Sequence, residues 1–236
     1  MHSYQKIGIL GGMGPDSTGD FFLKIISLFQ NGMGANFTSD FPAITVESIT
    51  FPHKNEAKSK YEETKMRAIC RGCQTLEMAG VDFIVVPCNS AHHYINQMRD
   101  SVKIDVLSII EETAKNILSK GLSKVLLLAT EYTIKNNLYS PLKNMGVEAV
   151  IPNQGQQNLV MEAIKNVFAG KRLPEDRENL AKIIFTHKCE DGIEGAILGC
   201  TELPLALEDE TVDEVLLFDT LKILASSTFK RSVGLA

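Results

Sequence analysis

The chain has 236 residues, 44% hydrophobic and 22% charged, with a net charge of −5, which suits one large domain or two small ones with an ample core. It shows no basic stripe of the kind a nucleic-acid binder carries and no apolar run of membrane-helix length. The polar leader Met1–Gln5 leaves no room for a secretion signal before the first strand-like run, and five scattered cysteines make a poor disulfide framework. A cytoplasmic protein with reduced thiols is therefore expected.

In chain order, the first strand is expected at Lys6–Leu10, followed by the turn Gly11-Gly12-Met13-Gly14-Pro15. Helix Ser17–Phe29 comes next, with Phe21, Leu23, Ile25 and Leu28 near one stripe. Strand Ala43–Ser48 then leads to a long helix, Lys54–Ala79, with Ala57, Tyr61, Thr64, Ala68, Cys70 and Leu76 as inner positions. Strands Phe83–Pro87 and Val106–Ser108 bracket Cys88. Helix Ile109–Ser119, with Gly121 at its C-cap, leads to strand Lys124–Ala129. Helix Ile134–Met145, strand Glu148–Ile151 and helix Gln156–Ala169 follow, with Gly170 as C-cap. Pro174 opens helix Glu175–His187. Strand Gly195–Leu198 ends at Gly199-Cys200, and Val215–Phe218 starts a last strand-helix pair. Continuous Val/Ile/Leu runs are the mark of parallel strands buried on both faces, and their alternation with helices gives an α/β class.

The two halves echo each other. Each opens with a strand and a polar or glycine-rich turn, and each later reaches an apolar strand that ends in cysteine: Val85-Val86-Pro87-Cys88-Asn89-Ser90 and Ile197-Leu198-Gly199-Cys200-Thr201-Glu202. This predicts two pseudo-symmetric, mostly parallel α/β domains, 1–110 with 212–236, and 111–211, with an active site in the cleft between them. Ligands in open α/β sheets bind at strand carboxyl ends, where both cysteines fall.

Two identical acid/base groups suit the removal of a proton from one face of a carbon and its return on the other. Free cysteine ionises near a pKa of roughly 8.5, and a helix N-terminus favours the thiolate. Asn89, Ser90 and Thr201, next to the cysteines, offer donors for a substrate carboxylate and the charge that develops beside it. Gly12 lets backbone approach a ligand closely.

Together, Gly11-Gly12-Met13-Gly14-Pro15, Pro87-Cys88-Asn89-Ser90-Ala91-His92 and Gly199-Cys200-Thr201-Glu202 resemble the aspartate/glutamate racemase superfamily, and within it the aspartate racemase branch. The resemblance covers nearly the whole chain. It implies racemisation of an amino acid without pyridoxal phosphate or any other cofactor, two pseudo-symmetric α/β domains and a homodimer. It implies Cys88 and Cys200 as the catalytic pair, with Met13, Asn89, Ser90 and Thr201 around the substrate. His92, Glu202 and Thr130 stand behind them. Relatives carry an arginine for the distal carboxylate in the loop after the second strand. Here that stretch reads Phe51-Pro52-His53-Lys54, so Lys54 is the candidate cation, without arginine's bidentate fork, and Lys165 is a second. The expected partner is a small amino acid, dicarboxylic by preference, with no nucleic acid and no membrane.

Other readings stay open. A maleate-type cis-trans isomerase also uses two cysteines, and an amino-acid binder without turnover would keep the scaffold. Gly12, Gly14 and Ser17 have degraded dinucleotide-fingerprint spacing, but the acidic residue expected after a second strand is missing. Cys70 and Cys73 form C-x-x-C inside a helix, which reads as packing, as does Cys189. No metal site is expected, since neighbouring His92 and His93 point different ways on a helix.

Overall fold

In the computed structural model residues 4–51, 58–207 and 210–235 are described. Lys54 lies outside them. Contacts divide the chain into two units, Met1–Ile109 with Leu224–Ala236, and Ile110–Ile223.

The first unit has strands β1 (Ile7–Gly11), β2 (Ile44–Ser48), β3 (Phe83–Val85) and β4 (Asp105–Leu107), and helices α1 (Pro15–Met33), α2 (Lys58–Met78), α3 (Ile95–Ser101) and the first residue of α4 (Ile109–Ser119). Its sheet has the order β2-β1-β3-β4, all parallel. β1 and β3 are buried along their whole length, as continuous apolar runs require. Helix α1 buries Phe21, Ile25 and Phe29, an i, i+4, i+8 row, whereas Leu23 is 65% exposed. Leu23 lies two residues from Phe21 and so turns to the opposite side. In α2 the inner row is Ile69, Cys73 and Leu76; Leu76 is where it was expected, and Ile69 and Cys73 take the places next to Ala68 and Cys70.

The second unit has β5 (Lys124–Ala129), β6 (Glu148–Val150), β7 (Gly195–Gly199), β8 (Thr211–Val212) and β9 (Val215–Asp219). The order is β6-β5-β7-β9-β8, parallel except for the β8–β9 pair. Its helices after α4 are α5 (Glu131–Lys135), α6 (Pro141–Asn144), α7 (Gln154–Phe168), α8 (Pro174–Asp191) and α9 (Pro204–Leu207), with the start of α10 (Thr220–Ser232). The single helix expected at 134–145 is two short ones. Asn137 has φ +50° and Pro141 opens the second. The left-handed backbone at Asn137 ends the first helix, and proline, whose missing N–H needs no partner in a first turn, suits the start of the second.

The first four strands of each sheet follow the same plan: opening strand second, next strand outside it, cysteine-bearing strand inside it, then a further parallel strand. The expected return to the first unit at 212 needs correction. β9 pairs with β7 from Gly195↔Leu216 to Leu198↔Asp219, so it completes the second sheet. Only the later part of α10 joins the first unit. There Phe229 meets Phe29 edge-on at 5.0 Å, Ser232 Oγ donates to Gln5 O at 2.9 Å, and Arg231 pairs with Asp105.

Candidate active site

In both sheets the opening strand and the cysteine-bearing strand are adjacent, and the chain leaves them toward opposite sides. That is the switch point at whose carboxyl end α/β sheets bind ligands. In the first unit the residues placed there are the turn after β1 and Cys88 after β3.

The turn is fixed by one hydroxyl. Thr18 Oγ1 accepts from Gly12 N–H at 3.0 Å and donates to Gly14 O at 2.9 Å. Gly12 has φ +87°, and a Cβ there would stand 2.1 Å from Ile49 O. Neither the dihedral nor the space admits a side chain. Gly12→Ala is expected to cost about 3 kcal/mol or more, lowering the melting temperature by roughly 6–12 °C. Calorimetry checks this.

Cys88 follows the buried run Phe83–Pro87 in a tight turn, its N–H donating to Val86 O at 2.8 Å. It is half-buried. Like Met13, it packs against the core formed by Leu10, Ile84, Val86 and Ala91. Asn89 behind it is 2% exposed, and Ser90 is half-buried. Buried His92 has both ring nitrogens committed. Nε2 accepts from Ile109 N–H at 3.1 Å, so Nδ1 carries the proton and donates to Cys88 O at 2.8 Å. This fixes a neutral tautomer that holds the backbone of Cys88.

In the second unit Thr130 follows β5 and caps α5, its Oγ1 accepting from Thr133 N–H at 3.2 Å. Lys165, exposed on α7, lies close enough to act with Lys135, the stronger influence, in holding the Glu131 carboxyl below its usual range. Cys200 follows β7 directly, and Ala129 pairs with Gly199 in register, so Thr130 and Cys200 leave adjacent strands side by side. Cys200, Thr201 and Glu202 are all buried, and one carboxylate oxygen serves the other two. Glu202 Oε2 accepts from Cys200 Sγ–H at 2.8 Å and from Thr201 Oγ1–H at 3.3 Å. Behind them Tyr139 is buried and bonded to Thr113. Its phenol is pushed up, first by burial and then by the nearby Cys200.

One expectation changes here. Cys88 is followed by a 3-10 turn, Ser90–Tyr94, and Cys200 by a bonded turn and the four-residue α9. Neither cysteine opens a long helix, so the macrodipole is small at both. At Cys200 the sulfur instead meets a side chain, the Glu202 carboxylate.

The family model for Asp/Glu/hydantoin racemases matches residues 10–228. The chain belongs to this family. A broad specificity amino-acid racemase of Bacillus subtilis is 33% identical over 225 residues, spanning 94% of this chain and 96% of its own. Among solved structures, an aspartate racemase homologue from Pyrococcus horikoshii superposes with a TM-score of 0.81 at 30% identity, covering 97% of this chain and 99% of the other. An aspartate racemase from Picrophilus torridus gives 0.79 at 28%, covering 98% and 94%. The chain is thus an isomerase of the racemase family, with the two-sheet α/β fold of its relatives.

The remaining cysteines of this racemase-family chain lie away from these strand ends. Cys73 is buried in α2 and its thiol is pushed up to about 12, mainly by burial, which makes it inert. Cys70, half-buried, donates to Gln97 O at 3.5 Å. Cys189 is exposed within α8, which runs past the expected end at His187 to Asp191. Tyr139 and Thr113 were not singled out from the sequence. The signal was a tyrosine inside a stretch read as one amphipathic helix.

Proposed function

We propose that this racemase-family enzyme moves the α-proton of an amino acid between Cys88 and Cys200, one thiolate and one thiol exchanging roles, without a cofactor. The observation that carries the reading is the repeated strand order: it puts one cysteine after the same strand of each half, with buried polar residues at once behind it. Asn89 and Ser90 in one half and Thr201 in the other supply donors for the α-carboxylate, and Gly12 and Met13 line the first half's turn. Dicarboxylic amino acids, aspartate first, are the preferred substrates. The aspartate racemase relatives support this preference. Lys165, within electrostatic reach of Glu131, is proposed as one cation for the distal carboxylate, and Lys54 as the second. We take the enzyme to be a cytoplasmic homodimer.

The test is α-hydrogen exchange in D₂O, followed by proton NMR on each enantiomer of aspartate, glutamate and a panel of neutral amino acids, with maleate included. Exchange and inversion are expected without added cofactor, fastest with aspartate. Conversion of maleate to fumarate with no exchange in any amino acid would replace racemisation by cis-trans isomerisation. Equal rates across the panel would keep the mechanism and remove the aspartate preference.

A further inference from the structure

Helix α7 begins with two adjacent glutamines that do different work. Gln156 closes the capping box with Asn153, its Oε1 accepting from Asn153 N–H at 3.0 Å and also meeting His187 Nε2–H at 3.1 Å. Gln157 turns inward. It is 6% exposed and lies one helical turn before Val160 on the face that carries Val160 and Ile164 into the core. Its Nε2–H donates to Ala129 O at 2.9 Å. The partner is a carbonyl, so the amide orientation is forced, since the reverse would set two acceptors against each other. Its own Oε1 is then left buried with no hydrogen-bond partner among the described residues.

A buried orphan acceptor is unfavourable, and native proteins hold few of them. A core position in step with Val160 and Ile164 would be filled better by an apolar side chain. What the amide does there is hold the last carbonyl of β5. Ala129 pairs with Gly199, and the next residues are Thr130 and Cys200. Thr130 in turn anchors Thr133 N–H through its side chain and Ile134 N–H through its carbonyl.

We propose that Gln157 is a positioning residue for the second half-site: its amide clamps the end of β5, and so fixes Thr130 beside Cys200. The inference rests on Cys200 being one of the two bases.

Gln157→Met separates this role from packing. The variant keeps the length of the side chain, removes the orphan acceptor and releases Ala129 O. The two losses offset, so the melting temperature should stay within about 4 °C of wild type. Amide exchange at Thr133 and Ile134 should nevertheless quicken at least about tenfold. With the preferred amino acid, kcat should fall roughly 10- to 100-fold with KM changed far less. Unchanged exchange at these amides overturns the clamp. A kcat within twofold of wild type, in an active preparation, overturns the catalytic consequence and leaves the racemase reading standing. A fall in melting temperature with activity lost only in proportion to the folded fraction shows a packing residue instead. A wild-type enzyme without turnover on any amino acid overturns the racemase reading and this inference with it.

Discussion

Cys88→Ser and Cys200→Ser are each expected to lower racemisation by roughly 10³-fold or more, with little loss of stability. Serine nearly preserves the shape of cysteine, but its hydroxyl does not ionise near neutral pH, so neither the base nor its conjugate acid is available. The two variants should differ in what they retain. A single thiolate still removes the α-proton from the enantiomer that presents it and returns hydrogen to the same face. In D₂O one variant should then exchange one enantiomer without inversion, and the other variant the opposite enantiomer. Chiral chromatography read beside proton NMR distinguishes exchange from inversion. Full racemisation in either variant, or exchange of the same enantiomer by both, would remove the two-base mechanism.

Much of this arrangement is legible in the sequence because its signals are local. The β5 run Lys124–Ala129 and helix Ile109–Ser119 fall where periodicity puts them, since an unbroken apolar run and an amphipathic repeat each need only their own residues. The two strand-end cysteines are legible for the same reason, and the repeated order of the sheets follows from the echo between halves. What was lost depended on phase or on tertiary pairing. Leu23 is apolar, yet its spacing of two from Phe21 turns it to the outer face of α1 and out of the expected stripe. Within one helical pattern the left-handed Asn137 ends α5 and Pro141 restarts the chain as α6. No local feature says which sheet a lone strand such as β9 joins; its pairing with β7 decides. Gln157 reads as an ordinary polar residue until its position is set in register with Val160 and Ile164, which marks it as a polar side chain in a core position.

Glu202 was legible as a neighbour of Cys200, but not as the acceptor of its proton. That contact comes from the tight turn after β7, which folds the carboxylate back to 2.8 Å from the sulfur. If Cys200 were a thiolate while Glu202 stayed ionised, two negative charges would stand at hydrogen-bond distance in a buried site. The carboxylate therefore opposes the thiolate of Cys200 and favours its thiol, which donates to Glu202 Oε2. In the proposed mechanism Glu202 would act through Cys200 as a positioning residue, its carboxylate holding the thiol in place. Glu202→Gln keeps the size and one acceptor but removes the negative charge. Without that charge the thiolate of Cys200 is less opposed, so Cys200 should lose its proton at lower pH than in wild type. The sign follows directly: the limb of the pH profile set by loss of this proton moves to lower pH, and activity at neutral pH falls, by roughly 100-fold. Because the two enantiomers of a free amino acid are equal in energy, kcat/KM must drop equally in both directions, and any difference between directions appears only in kcat and KM taken separately. Steady-state rates for both enantiomers across the pH range check all three statements. An unshifted profile with a uniform loss would reduce Glu202 to a support for the turn that carries Thr201.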